Sequence, residues 1–309
     1  MRPARKISNL VQFKASELRA WLLFYSLVAL QVTSFPDKYY QHWILFVKAL
    51  YILLQDKISE SDLSVADVML KCFLRGVRNL YSEHDYVYNV HQLSHFVEYV
   101  KLWGPLFATS GFPYEGQNGI MTRMVQGTKH QAKELVENLK LAHCIHILNV
   151  KVKNRADKVF DSSASVCGMA NKIVLNDSDI ELLRSEGVTE FETYRRAYFK
   201  NGTYTSSIYD ENKKKCNSVV QFLYQGKTCT GQIICFVKTS GNILCYVDKF
   251  KSCHTDIICH RDTMQRITHL RPVVKSGEKV LVKLCSVEKK LLQVGNYIPF
   301  SPNNWEKNL

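Results

Sequence analysis

Glu115 is the one carboxylate in the stretch WGPLFATSGFPYEGQNG, residues 103–119, and it directly precedes a segment that reads as helix. A carboxylate in such a place can ligate a divalent cation or accept a proton. Two-metal phosphoryl chemistry, however, needs about three carboxylates around ions about 3.5–4 Å apart. The same side chain would also favour the positive end of a helix dipole, an effect of about 0.3–1 kcal/mol.

Other clusters could carry chemistry of a different kind. HQLSH, residues 91–95, has the spacing of the zinc-protease HExxH motif, which puts two imidazoles on one helical face. Gln92 occupies the position of the carboxylate base, so hydrolysis of that type is excluded; a packed histidine bonded to a carbonyl, or simple metal ligation by His91 and His95, remains. CHTDIICH, residues 253–260, offers two Cys and two His, but at a spacing that matches no finger, and no metal is assigned. Lys213, Lys214 and Lys215 precede Cys216, and Lys227 and Lys238 follow among Tyr and Phe. Lysines interleaved with aromatics form single-strand platforms, and they also protect edge strands from pairing with other chains. GxxxxGK[ST], GxGxxG and GxSxG do not occur, which removes the main support for phosphate-loop, dinucleotide and hydrolase-elbow readings.

The elements that must position these residues change in character along the chain. Leu18, Trp21, Leu22, Tyr25 and Ala29 recur at helical spacing after Ser16 and Glu17, which supply a cap and a first-turn acid. Pro36 opens a second apolar helix with Tyr40, Trp43, Ile44, Val47, Leu50, Tyr51 and Leu54 on one face. SVAD, residues 64–67, has the form of a capping box for a third, and NVHQLSHFVEYVKLW forms a fourth that stops at Gly104-Pro105. Two more helices are expected at roughly 115–126 and 129–145. Residues 151–200 read as a linker holding one short helix, DSDIELLRSEGV, capped by Asp177 or Ser178. Beyond residue 200, SVVQFLYQ, GQIICFVK, NILCYVD, HLRPVV and KVLVKLCSV are strands, with a hairpin turn at TSGN.

The expected fold class is therefore α+β: an all-α helical domain over 1–150, then a small barrel- or sandwich-like basic β domain over 201–309. The net charge is +13, carried mostly by the second part: 25 Lys/Arg against 16 Asp/Glu after residue 150, and 16 against 12 before it. Such a field favours polyanions without locating where they bind. The apolar runs AWLLFYSLVALQV and WILFVKALYILL fall short of the roughly 20 residues a bilayer span needs. MRPARKISNLVQFK lacks the apolar core of a secretory signal. The ten cysteines lack the spacing of a secreted scaffold and point to a reducing compartment, where the sequon NGT at 201–203 would be idle.

Four segments occur together in one known family. FKASELRAWLLFYSL (13–27), ALYILLQDKISESDL (49–63), NVHQLSH (89–95) and LWGPLFATSGFPYEGQNGIMTRMVQGTKH (102–130) closely resemble, in this order, a conserved domain of CACTA-type (En/Spm-like) DNA transposon proteins. That domain, of unknown function, follows the nuclease core, and the animal versions are the most similar. Gly104, Pro105, Phe112, Pro113, Tyr114, Glu115, Asn118, Gly119, Gly127, Thr128, Lys129 and His130 match its last motif. The resemblance covers about residues 10–140, and a vaguer likeness extends into the basic tail.

The resemblance implies a transposon-derived, nuclear protein that binds DNA, with Lys129 and His130 joining the lysines above, or that joins a nuclease-bearing transposase chain. In the family a ribonuclease-H-like nuclease performs the cutting, and Glu115 would contribute to catalysis only beside two acids from another chain. The leading expectation is a non-catalytic accessory part, with no cofactor, no membrane contact and no small-molecule substrate. The alternatives are a shared nuclease site using Glu115, and a protein-interaction module without nucleic acid.

Overall fold

A computed structural model describes residues 7–160, 164–170, 173, 175–200, 202–211, 216–253 and 255–303. The chain divides into two compact units, Met1–Leu106 with Ala164–Leu309, and Phe107–Ser163. This division by packing differs from the boundaries at 150 and 200 drawn from composition: the N-terminal helices share a unit with the sheet. The fold class is α+β, with helices first and a curled antiparallel sheet after them.

In the larger unit, α1 (Ala15–Ala20) runs through a π turn (Trp21–Tyr25) into α2 (Ser26–Val32). Its N-cap is Lys14 rather than Ser16, and the Glu17 carboxylate accepts the Lys14 amide at 2.9 Å. Helix α3 (Asp37–Leu53) follows Pro36 as expected from the fixed φ of proline. Helix α4 (Glu60–Leu80) starts one turn before SVAD, because Ser59 and Asp62 form the reciprocal capping box first. Leu45, Ile52, Leu63, Met69, Leu70 and Phe73 pack between α3 and α4. Buried His42 stacks on Phe73 and donates from Nε2 to its carbonyl at 2.7 Å. The HQLSH segment is not one α-helix: α5 (Tyr88–His91) tightens into a 3-10 turn (Gln92–His95) before α6 (Phe96–Trp103). Gly104, at φ 83°, ends α6 as expected.

The smaller unit contains α7 (Phe112–Met124) and α8 (Gln131–Phe160). Asn138 Nδ2 donates to the Met124 carbonyl at 2.7 Å, and the Glu134 carboxylate accepts the amides of Gln126 and Gly127. Helix α8 runs far past residue 145 because VKVKNRADKV contains good helix formers and neither Gly nor Pro.

Strands occur where a linker was expected over 151–200: β1 (Ser165–Cys167), β2 (Glu192–Tyr194) and β3 (Arg196–Phe199), with β4 (Gly202–Thr205) just after it. Between the first two lies α9 (Asp177–Ser185), capped by the Asn176 side chain at the Asp179 amide instead of by Asp177 or Ser178. After the short α10 (Ser207–Asp210) come β5 (Val219–Tyr224), β6 (Lys227–Lys238), β7 (Ile243–Ser252), β8 (Leu270–Lys283), β9 (Val287–Lys290) and β10 (Tyr297–Pro299). HLRPVV and KVLVKLCSV are thus mostly one long strand, and β9 and β10 were not foreseen.

The main sheet is seven-stranded in the order β10-β8-β7-β6-β5-β9, with β2 added beside β6; β1, β3 and β4 form a second, three-stranded sheet. Gln225 and Gly226, both at positive φ, join β5 to β6 in a two-residue turn, and TSGN turns β6 into β7. One face of the main sheet packs Phe222, Phe236 and Val247 against Ala197, Phe199 and Tyr204 of the small sheet. The other packs Cys235 and Tyr246 against Leu183 and Val188. Leu27, Val28, Ile44 and Val47 of the helices pack on Ile258, Ile267, Leu270 and Tyr297. His269 bonds Leu23 O, Asn303 Nδ2 donates to Leu54 O at 2.7 Å, and the Tyr297 hydroxyl lies 3.0 Å from Gln31 Oε1. Among the described residues no helix is long and apolar enough to cross a membrane.

Candidate functional site

The sheet curls without joining its two outermost strands, and β9 and β10 are those edges. An unjoined edge offers backbone polar groups and side chains to a ligand that a closed barrel would not. A cavity of about 660 Å³ lies there. Its lining comes from β9 and the residues after it (Glu288 to Leu292), Pro299 at the end of β10 with Phe300 and Ser301 after it, Lys200 in the turn after β3, Gly202 and Tyr204 of β4, Cys216, Asn217 and Phe24. All of these belong to the larger unit.

Each edge is fixed by its own pairing. Val220 faces Lys290 and Gln221 faces Lys289 across β5, with a register shift before Phe222. Ile298 faces Arg271 across β8. Behind the opening, Val219, Val273, Leu291 and Ile298 form a small apolar cluster against which Phe300 packs, so its ring is only partly covered.

Three lysines, Lys200, Lys289 and Lys290, line the cavity, and each ammonium lies over an aromatic ring. Lys290 Nζ is 4.7 Å from the centre of the buried Tyr204 ring, and Lys289 Nζ is 5.8 Å from that of Phe300. The exposed Arg271 guanidinium is 4.3 Å from the same Phe300 ring. A ring face attracts a cation without neutralising it, and Lys289 has a further interaction besides its ring. Burial lowers the Lys290 pKa, and burial raises that of Tyr204 most strongly. An anion beside Lys290 would oppose that shift by favouring the charged ammonium. Glu288, the acid of this lining, accepts from Gln221 Nε2 at 2.5 Å. The arrangement can bind anionic groups next to flat apolar ones.

No model of a protein family matches this chain, and no curated protein matches it.

The residues singled out from the sequence lie elsewhere. Lys227 and Lys238 occupy opposite ends of β6 and neither lines the cavity. Lys129 and His130 are exposed in the smaller unit, with His130 at φ 58° just before α8. Lys213, Lys214 and Lys215 fall outside the described residues. Glu115 is exposed in the first turn of α7, its amide bonded to Gly111 O at 3.0 Å. His91 and His95 are exposed, with ring centres 5.3 Å apart. In the CHTDIICH segment the His260 ring is engaged locally, Nδ1 accepting the Thr263 amide, and Cys253 Sγ lies 2.9 Å from Thr255 Oγ1. Among the described residues no group of three or more His, Cys, Asp or Glu is placed to hold a metal ion. All ten cysteines are free thiols.

Sequence reasoning passed over Lys200, Arg271, Lys289, Lys290 and Phe300. The available signal was VEKKLL, a pair of lysines between apolar residues, but it comes near Phe300 through the pairing of β9 with β5 and of β10 with β8.

Proposed function

We propose that this protein is a transposon-derived, non-catalytic nucleic-acid-binding protein, an accessory part or fragment of a CACTA-type transposase that works in the nucleus beside a nuclease-bearing chain. The transposon assignment rests on the four ordered motifs from residue 13 to residue 130. The observation that supports nucleic acid as the ligand is the cavity between β9 and β10, where lysines alternate with aromatic rings. Phosphates suit the ammonium groups, and bases suit the rings. The excess of basic residues after residue 150 steers a polyanion toward this half of the sequence.

Salt dependence tests this reading. Each neutralised phosphate contributes a slope of about −0.7 to −0.9 in log K against log salt. Contacts from Lys200, Lys289 and Lys290 would then weaken binding roughly 15- to 40-fold between about 50 and 200 mM salt. Fluorescence anisotropy with labelled oligonucleotides reads this directly. Replacing Lys289 and Lys290 together with Ala should lower both affinity and slope. Absence of binding at low salt, or an unchanged slope in that double variant, would remove the cavity from the function.

A further inference from the structure

We infer that the cavity takes single-stranded nucleic acid, a base resting against Phe300 and the flanking phosphates on Lys289, Lys290 and Lys200; this rests on the nucleic-acid reading above. The distinction between one strand and two follows from which surfaces of a base are free. In a duplex the faces are stacked on neighbouring pairs, and proteins reach only edges in the grooves and the phosphate backbone. An unpaired strand presents its faces, and aromatic side chains or guanidinium planes stack on them.

The cavity is built to use faces. The Phe300 ring is partly open, and its backbone is fixed by donation of its amide to His269 O at 2.8 Å. The exposed Arg271 guanidinium lies over that ring at 4.3 Å, beside the cavity lining, and offers its own outer plane with a charge. The site is a recess of about 660 Å³ lined by two strand edges, and among the described residues its walls are strands and the turns beside them, with Phe24 of the π turn. Asn217 and Ser301 line the same recess and supply donors and acceptors for the Watson–Crick edge that pairing would otherwise occupy. The cations are spaced around the recess, with Lys289 toward Phe300 and Lys290 toward Tyr204. Lys289 and Lys290 are consecutive on β9 and point to opposite faces of it, so a backbone passing over this edge meets an ammonium on each face.

The test compares one labelled single-stranded oligonucleotide with a hairpin duplex of the same sequence, using the full chain at low salt. The single strand should bind at least about 10-fold tighter. Phe300→Leu keeps an apolar group against Leu291 and Ile298 but removes the ring, and it should weaken single-strand binding about 5- to 100-fold. Duplex binding should not change in this variant, and an unchanged thermal unfolding curve would show that the fold is intact. If Phe300→Leu does not fold, Arg271→Lys serves instead: it keeps the charge, loses the plane, and should lower single-strand affinity selectively. Equal or tighter binding of the duplex would overturn the inference while leaving the nucleic-acid reading intact. So would single-strand binding indifferent to the substitution. Failure of both probes to bind would overturn the reading itself.

Discussion

His269 Nε2 donates to the carbonyl of Leu23 at 2.8 Å, tying the start of β8 to the π turn between α1 and α2. The imidazole is stacked on Tyr51 at 3.9 Å between ring centres, and its Nδ1 is buried without a hydrogen-bond partner. A proton on Nδ1 would place a charge in an apolar junction, with Lys48 adding repulsion. Burial is the main cause that lowers the His269 pKa, to about 3. Burial also lowers those of His42 and His260.

The sign of the resulting pH dependence is set by the unfolded chain, which takes up protons near pH 6.5 while the folded protein resists them. Stability from His269 is complete above about pH 6.5 and is lost as pH falls from there toward about 3. One such histidine changes stability by about 1.4 kcal/mol per pH unit at most within that window. Urea unfolding at several pH values should show this decline, and His269→Phe should flatten it while lowering stability at neutral pH. A slope identical in the two proteins would mean that the His269 environment takes up protons readily.

Asp179 joins α9 to the outer face of the sheet. Its Oδ1 accepts from the Tyr246 hydroxyl at 2.6 Å and from Lys279 Nζ at 2.5 Å. Desolvation, followed by this carboxylate, raises the Tyr246 pKa. Asp179 and Tyr246 are buried while the Lys279 side chain is 30% exposed, so Asp179→Ala chiefly strands the Tyr246 hydroxyl and should cost about 1–3 kcal/mol in chemical denaturation. Adding Lys279→Met to that variant should restore part of the loss. No recovery would show that the ammonium already reaches water.

Two helical glycines have opposite expected outcomes. A Cβ on Gly76 in α4 would lie 2.3 Å from His42 Cδ2, and that ring is held by its stacking on Phe73 and its bond to the Phe73 carbonyl. Gly76→Ala should therefore destabilise by about 1–3 kcal/mol. Gly116 in α7 has open space around the same position, so Gly116→Ala should stabilise its helix by about 0.5–1 kcal/mol. Amide hydrogen exchange, followed separately in α4 and α7, reads both. Equal effects of one sign would contradict the packing described around His42.

Glu115→Gln should leave nucleic-acid affinity unchanged and cost α7 about 0.3–1 kcal/mol through the helix dipole. The shared-nuclease alternative gives another result: Mg²⁺-dependent cleavage by a reconstituted pair with a nuclease-bearing chain would disappear. Cleavage assays with and without that partner separate the two.

Much of the architecture was legible in local pattern, and the site was not. The helices of the first 106 residues follow apolar periodicity and proline or glycine punctuation, and β5 to β7 follow β-branched runs bounded by turns. The errors were local competitions. Ser59 with Asp62 captured the start of α4 ahead of SVAD, and the 3-10 turn at Gln92–His95 broke a helix that periodicity alone would have kept whole. Strands β1 to β4 were missed because short pairs such as Ala197 with Tyr204 owe their existence to the large sheet they cover. The lysine clusters drew attention by density along the chain. The cavity instead combines Lys200, Lys290 and Phe300, which are far apart in sequence and meet only through strand order.

Residues 107–163 interrupt the larger unit, and this constrains how the protein is made. The partners of Leu23 and Leu54 are His269 and Asn303, so the first helices leave the ribosome long before the groups that complete their packing exist. At about 5–20 residues per second, synthesis of the intervening chain takes on the order of ten seconds or more. Over that interval α1 to α3 expose Leu27, Val28, Ile44 and Val47, the apolar side chains destined for the sheet. The nascent N-terminal half is thus a natural client for chaperones, and ribosomes stalled before β8 should accumulate it bound to them.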